Sequence, residues 1–158
     1  MKLFEFLENK KYISIPLKKT KTNHFELVAY INGIKGRFIL DTGASNTCIG
    51  LHKADYFKVA STISETKASG AGATEIETHT ATDVYLTIGK WEVRDLHLVL
   101  IDLSHVNSAL ELHGVKEIEG VIGSDLLKLG KAIIDYDKKR LYLKKNRIFE
   151  KSIQIVLP

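Results

Sequence analysis

The sequence contains very little cysteine and proline and has no long apolar segment. Its 158 residues include one cysteine, Cys48, and two prolines, so a disulfide within one chain is excluded. Glu5 and Glu8 interrupt the apolar N-terminal segment, which does not fit the apolar core of a secretory signal. No run approaches the roughly 18 apolar residues of a membrane-spanning helix. We therefore expect a soluble, cytoplasmic protein with no membrane partner, in which Cys48 is a small buried apolar residue.

Patterns typical of metal and nucleic-acid sites are also missing. The six histidines show no ligand spacing, such as two histidines four residues apart with a glutamate between them, so we expect no metal and no other cofactor. The formal net charge is mild, at +4. One basic cluster surrounds Tyr142 in a predicted terminal hairpin, where much of its charge would face solvent, so nucleic acid is not an expected partner. That cluster consists of Lys138, Lys139, Arg140, Lys144, Lys145 and Arg147.

Short alternating or β-branched segments, typical of β-strands, make up most of the chain. Strands are predicted at residues 12–17, 25–31, 34–40, 76–88, 91–101, 132–136 and 140–144. Asn32-Gly33 joins the second and third of them and favours a tight hairpin turn, because both positions need positive φ. The alternation of 91–101 slips near Asp95, which predicts a β-bulge. Glycine-rich residues 66–75 predict a flexible hairpin tip.

Helical patterns are few and short. Residues 51–57 and 124–130 each predict one or two turns, and in the second we expect Ser124 to cap the N-terminus and Gly130 to end the helix. A helical or irregular stretch at 103–110 has no firm assignment.

The ends of the chain complete the domain. Residues 18–23 predict a polar connection, and the apolar tail 152–158 is expected to pair within the chain or with a partner. With no repeat and no linker, 158 residues that are 44% hydrophobic predict one all-β domain over 1–158.

Two segments carry the functional signal. Asp41-Thr42-Gly43 directly follows a strand-like apolar run and places a carboxylate before a glycine turn. About 80 residues later comes Gly120-Val121-Ile122-Gly123, an apolar pair closed by glycine. In this order, with the glycine-rich tip between them, the segments resemble the retropepsin-like aspartic proteases, and specifically the bacterial single-domain members.

The resemblance covers residues from about 13 to 144, the core of the domain. It implies a closed, orthogonal β-barrel-like retropepsin fold with one or two short helices. It also implies that Asp41, Thr42 and Gly43 form the catalytic loop and that the glycine-rich tip is a flap over a bound peptide. The residues that would contact substrate are Ala44, Ser45, Ser69, Gly70, Ala71, Gly72, Ala73 and Ile122. Because the chain has one Asp-Thr-Gly, a second identical chain would complete the site, with the terminal extensions in the dimer interface.

Peptide hydrolysis without metal or covalent intermediate needs one acid and one base. Two carboxylates about 3 Å apart supply both, because like charges at that distance cannot both ionise. Ala44 lacks the hydroxyl that serine carries in other members, and a hydroxyl would favour the ionised carboxylate. We therefore expect a pH optimum less acidic than that of pepsin-like enzymes. Ser45 replaces the acidic residue of retroviral members, so that substrate contact is not carried over.

Three functional hypotheses remain open at this stage. The first is a homodimeric aspartic endopeptidase acting on a protein or peptide. The second is a non-catalytic module that keeps the fold for peptide binding or dimerisation, and the third is a monomer with an incomplete site. Asp125 and Asp135 could supply a second carboxylate within one chain, but neither stands in an Asp-Thr/Ser-Gly context, so both are expected to be structural.

Overall fold

The computed structural model describes residues 1–63, 68–70 and 73–145. These residues form mainly β-strands with three short helices. The helices are α1 (Leu3–Asn9), α2 (Ser104–Leu112) and α3 (Ser124–Leu129), and a 3-10 turn spans Leu51–Lys53. The first strands are β1 (Tyr12–Pro16), β2 (Lys18–Lys19), β3 (Phe25–Ile31), β4 (Ile34–Leu40), β5 (Cys48–Gly50) and β6 (Thr62–Ile63). The others are β7 (Ala68–Gly70), β8 (Ala73–Ile76), β9 (His79–Ile88), β10 (Trp91–Ile101), β11 (Gly120–Ile122), β12 (Ile133–Asp135) and β13 (Arg140–Lys144).

Six strands close into a barrel. The pairing runs β3-β4-β11-β5-β10-β9, and β9 returns to β3 through the pairs Tyr30↔Thr87 and Ile31↔Leu86. β2 adds to the open part of β3, and β6 adds to the far end of β9. Separately, β1, β13 and β12 form a three-stranded sheet. The predicted all-β, barrel-like fold with few helices is confirmed.

Alternating side chains fill the barrel. On β3, Leu27, Ala29 and Ile31 are buried, and between them Val28 and Tyr30 are exposed, as the two-residue period of a strand requires. β10 keeps both Val93 and Leu96 buried because the register shifts between them. Asp95, inside this shift, has φ +58°, and the predicted bulge is confirmed.

A smaller apolar cluster lies outside this core. Leu110 of α2 and Ile118 pack on Ile39 of β4. Asn107 holds the segment after α2 in place, because its amide donates to the Ile118 carbonyl at 3.2 Å and accepts from the Ile118 N–H at 2.8 Å. The helical pattern in the unassigned region is thus a real helix that covers one side of the barrel.

Several local predictions need correction. α1 was not predicted. Residues 51–57 form only a 3-10 turn, Leu51–Lys53, followed by turns, and β2 forms inside the predicted connection 18–23. Gly123, not Ser124, is the N-cap of α3, and no side chain caps this helix. The predicted strand 76–88 is divided, since β8 ends at Ile76 and β9 begins at His79.

Other predictions agree with the structure or lie outside it. Asn32 and Gly33 have φ of +51° and +80°, as the predicted hairpin requires. The strand at 12–17 pairs with β13 in the same chain. Tail residues 152–158 lie outside the described residues. Across the described ranges, each helix is too short or too polar to cross a bilayer.

Candidate active site

Asp41 lies where two parallel strands of the barrel end side by side. β4 and β11 run parallel, and their last pair is Leu40↔Ile122. The ladder continues one step further, because the Asp41 N–H donates to the Ile122 carbonyl at 3.0 Å. Asp41, Thr42 and Gly43 are all exposed beyond this edge. The apolar strand therefore fixes the backbone of Asp41 and leaves its side chain accessible.

The turn after Asp41 is ordered by its own backbone. The Gly43 N–H donates to Asp41 Oδ1 at 2.9 Å, and the Ala44 N–H donates to the Asp41 carbonyl at 3.2 Å. A Cβ atom at position 43 would lie only 3.3 Å from Asp41 Oδ1. Glycine thus lets the main chain approach the carboxylate closely and orient it.

A buried threonine connects this loop to β11 and α3. Thr47 is completely buried, and its hydroxyl donates to Asp125 Oδ1 at 2.7 Å and accepts from the Gly123 N–H at 3.0 Å. The Thr47 N–H also donates to Asp125 Oδ1, at 2.9 Å. We call Thr47, Gly123 and Asp125 the loop clamp. It holds the far end of the Asp41 loop against the segment that follows β11.

The main chains meet closely at the loop clamp. The Ser124 N–H donates to the Ala44 carbonyl at 2.7 Å. A Cβ atom at position 123 would lie 2.8 Å from the carbonyl oxygens of both Ala44 and Asn46. Gly123, the glycine that follows the apolar pair, therefore lets the two main chains approach each other closely beneath the loop.

The predicted substrate-contact residues occupy different places. Ser45 is exposed and Ala44 is half-buried on the Asp41 loop. Ile122 has no exposed surface. Its side chain belongs to the core, and its carbonyl accepts from the Asp41 N–H. The contact of Ile122 with substrate stays a prediction.

The glycine-rich tip forms a two-stranded ribbon. β7 and β8 pair antiparallel through Ala68↔Ile76 and Gly70↔Ala73, with a register irregularity between Ala68 and Gly70. Ser69 and Gly70 thus belong to one strand and Ala73 to the other, as a hairpin requires. Ala71 and Gly72 lie outside the described residues.

The remaining candidate side chains have structural roles. Asp125 Oδ1 accepts from Thr47 and also from the Leu126 N–H at 2.8 Å, and Asp135 accepts from the Lys138 N–H at 2.9 Å in a turn. Burial raises the pKa of the Cys48 thiol to about 12; the Val121 backbone opposes this rise, whereas the charges of Asp125 and Asp41 add to it. Cys48 is therefore a buried thiol and not a nucleophile, as expected.

The Thr47 contacts could not be predicted from the sequence. Thr47 is separated from Gly123 and Asp125 by 76 and 78 residues. The one available signal was the position of Asp125, two residues after the glycine-closed apolar pair. Among the described residues, no three histidine, cysteine or carboxylate side chains come together as a metal site would require.

Comparisons with known proteins agree with this geometry. The family model described as aspartyl protease matches residues 27–126, which include the Asp41 loop and the loop clamp. Curated protein sequences give no significant match.

Solved structures show the same fold. A retropepsin-like aspartic protease from Rickettsia conorii is 22% identical, with a TM-score of 0.55 over 85% of this chain and 90% of that one. EIAV protease complexed with the inhibitor HBY-793 is 16% identical, with a TM-score of 0.52 over 70% and 91%. The retroviral protease-like domain of Ddi1 from Leishmania major is 15% identical, with a TM-score of 0.52 over 75% and 86%. Since the family model covers more than half of the chain, the protein belongs to the aspartyl protease family.

Proposed function

We propose that this protein is an aspartic endopeptidase whose active site contains Asp41 from each of two identical chains. The observation that carries the proposal is the way in which the structure holds and exposes Asp41. Its carboxylate is exposed, while its backbone is fixed by β11 and its loop by the loop clamp. A rigidly held, exposed carboxylate at the end of an apolar strand suits a catalytic group.

Among the described residues, the carboxylate that contacts the far end of this loop is already engaged in hydrogen bonds. Asp125, the nearest candidate in the sequence motif, uses its Oδ1 atom to hold Thr47 and Leu126. A two-fold axis beside the loop would bring two Asp41 side chains together, because an isologous contact places the same residue opposite itself. Thr42, exposed next to Asp41, would stabilise that contact through its hydroxyl.

The pair of carboxylates would perform the hydrolysis. At a separation of about 3 Å the two groups share one proton, since ionising both is unfavourable. The ionised carboxylate takes a proton from a water molecule as the water attacks the peptide carbonyl. The protonated carboxyl gives its proton to the carbonyl oxygen, and a tetrahedral gem-diol forms. As the C–N bond breaks, the carboxyl that took the proton from water gives it to the leaving amine. The other carboxylate takes a proton from a hydroxyl of the gem-diol as the new carboxylic acid forms, so the pair again holds one proton. The Gly43 N–H, 2.9 Å from Asp41 Oδ1, keeps one oxygen oriented throughout.

The β7–β8 ribbon would serve as the flap, with its small residues giving the mobility of a lid. The substrate would lie extended between flap and Asp41 loop, bound through main-chain hydrogen bonds and alternating side-chain pockets. We further propose one domain over residues 1–158, terminal extensions that contribute to the dimer, and a cytoplasmic location in keeping with the single buried thiol.

The deciding experiment is the digestion of a peptide library made from denatured proteins, from about pH 4 to 8. The Asp41→Asn variant should lose on the order of a thousandfold in rate, because it cannot supply the base while still accepting from Gly43. Asp137→Asn, an equally conservative change at a carboxylate 88% exposed in a turn, should cut like the wild type.

Equal inertness of all three proteins at high concentration, with dimers present, would instead favour a non-catalytic peptide-binding module. Cleavage that survives in Asp41→Asn would mean that Asp41 is not the catalytic carboxylate.

A further inference from the structure

A groove between β2 with the turn after it and the segment after α2 carries an excess of positive charge. We define the basic groove by Lys18, Lys19 and Lys21 on one wall and Lys116 on the other, above a floor formed by Arg37 and Glu26; its volume is about 440 Å³. Its lining includes five basic residues and one acidic residue. The excess equals the formal net charge of the whole chain, +4. The residues outside the groove therefore have a formal net charge of zero.

The charges of the four lysines are not neutralised locally. Within ranges 1–63, 68–70 and 73–145, none of the four forms an ion pair. The buried Glu26 is already occupied by Arg37, 2.7 Å away. Glu117, the acid next to Lys116, lies 3.1 Å from His52 and 4.0 Å from Lys53. An incoming acidic group would thus meet unpaired lysines.

Internal hydrogen bonds shape the first wall. The turn after β2 is closed by the Thr20 N–H donating to the His24 carbonyl at 2.8 Å and by the Asn23 N–H donating to the Thr20 carbonyl at 3.0 Å. A hydrogen bond of 2.8 Å also joins the hydroxyls of Thr20 and Thr22. This turn presents Lys21 toward the opposite wall, where its Nζ lies 3.7 Å from the Cβ position of Gly114.

The second wall is fixed to α2 and the barrel. The Val115 N–H donates to the Leu110 carbonyl, and the Gly114 N–H donates to the Glu111 carbonyl, both at 2.9 Å. Asn107 holds Ile118 from the other side. Lys116 therefore extends from a segment that is hydrogen-bonded on both sides.

The sheet register places the basic groove close to Asp41. Lys19 pairs with Phe25, and Phe25 pairs with Leu40, the residue before Asp41. Two strand spacings separate Lys19 from Leu40, which is about 10 Å. An extended peptide covers this distance in about three residues.

The lining favours an acidic peptide over nucleic acid. In the part of the chain that the structure describes, no aromatic side chain lines the groove, so bases would have no ring there to stack on. β2 stands at the end of the strand order of its sheet, and such an edge can pair with an extended peptide.

We propose that the basic groove is an exosite that selects substrates with acidic residues about three to six positions from the cleaved bond. This inference rests on the proposed endopeptidase activity. Lys18, Lys19, Lys21 and Lys116 attract the acidic side chains, while the Asp41 loop acts on the bond itself. The groove thereby adds charge selectivity to a site whose main-chain contacts do not depend on sequence.

The test compares three peptides built around one cleavage site from the library digestion. Two carry three glutamates, placed on either the N- or the C-terminal side of the bond, and the third carries glutamines in both places. For the wild type, one glutamate peptide should exceed the glutamine peptide about tenfold in kcat/KM, mainly through a lower KM, since each exposed charge pair contributes a few-fold. Raising the salt to about 0.5 M should remove most of this preference.

In the Lys21→Glu/Lys116→Glu double variant, the ratio of kcat/KM for the glutamate peptide to that for the glutamine peptide should fall to about one or below. Lys90→Glu/Lys138→Glu changes the total charge equally at exposed positions outside the groove and should keep the wild-type ratio. Thermal melting of both variants checks that they are folded. A wild-type ratio of one would overturn the proposal and assign the lysines to protection of an exposed sheet edge.

If no peptide is cleaved, the proposed function fails, but the groove is still tested by fluorescence anisotropy with the same labelled peptides. About tenfold tighter binding of a glutamate peptide, lost in the double variant, would support the acidic-peptide site on its own. Equal binding of the glutamate and glutamine peptides would overturn it. So would a double variant that loses binding to single-stranded RNA but binds the peptides as the wild type does.

Discussion

Thr47 connects two distant parts of the chain through one buried hydroxyl. The hydroxyl donates to Asp125 and accepts from the Gly123 N–H, and the residue has no exposed surface. Buried polar groups are costly when they lose their partners, because water cannot replace them. The orientation of the exposed Asp41 loop therefore depends on a residue that is itself completely buried.

Replacing Thr47 by valine should destabilise the protein. The change keeps the side-chain shape, but it leaves the Gly123 N–H without its acceptor and removes one donor from the Asp125 carboxylate. We expect a loss of about 2–3 kcal/mol in the free energy of unfolding. Urea titration can follow this through the single tryptophan, Trp91, which is 1% exposed.

Thr47→Ser is the matched control, since it keeps the hydroxyl and loses only a methyl group. It should cost about 1 kcal/mol. A valine variant as stable as the serine variant would show that the hydroxyl does not hold the loop.

At the candidate site, two main-chain segments lie so close together that they leave no room for a side chain at position 123. The segment from β11 into α3 lies so near the Asp41 loop that a Cβ atom on Gly123 would be 2.8 Å from main-chain atoms of Ala44 and Asn46. Main chain cannot rotate away as the end of a flexible side chain can. The short β11–α3 connection is therefore coupled directly to the position of Asp41.

Gly123→Ala should consequently reduce activity more than stability. Moving the loop by about 1 Å is enough to cost about a hundredfold in rate, whereas crowding of this kind costs about 1–3 kcal/mol of stability. Specific activity and thermal melting should be measured together on the same preparation.

Gly130→Ala serves as the comparison. There the added Cβ would lie 2.8 Å from a terminal carbon of Leu143, a side-chain atom that can move. We expect near wild-type activity. If both variants lose activity only in proportion to their loss of folded protein, Gly123 does not position the loop.

Local sequence patterns predicted the elements that are determined by short-range interactions. The β3–β4 hairpin followed from alternation on both sides of Asn32-Gly33, and the β10 bulge from one slip in alternation. α1 was missed because among its residues only Leu7 is buried, while Leu3, Phe4 and Phe6 are about half exposed, so it has no clear apolar face to detect.

Long-range contacts determine the features that local sequence patterns did not predict. β2 is two residues long, and it exists because β3 offers an unpaired edge. The candidate catalytic loop was visible in Asp41-Thr42-Gly43, yet the contacts of Thr47 with Gly123 and Asp125 were not, because nothing in one sequence pairs residues so far apart. The basic groove was missed for the same reason, since Lys116 is far from Lys18–Lys19 in the chain.

At the scale of the whole molecule, the closed barrel presents one Asp41 loop at one edge. β4 and β11 end there together, and the Asp41 side chain faces outward from the single chain. Since the proposed chemistry requires two carboxylates sharing a proton, activity should be a property of a pair of chains.

Mixing inactive with active chains should therefore suppress activity. At a fixed wild-type concentration, an about ninefold excess of Asp41→Asn chains, given time to exchange, should leave about a tenth of the activity, because most wild-type chains then pair with an inactive one. The same mass of serum albumin should change nothing. Dilution of the wild type alone should lower the activity per chain as dimers dissociate. Activity that is insensitive to both excess Asp41→Asn chains and dilution would require a complete site within one chain, and the second carboxylate would then have to be sought there.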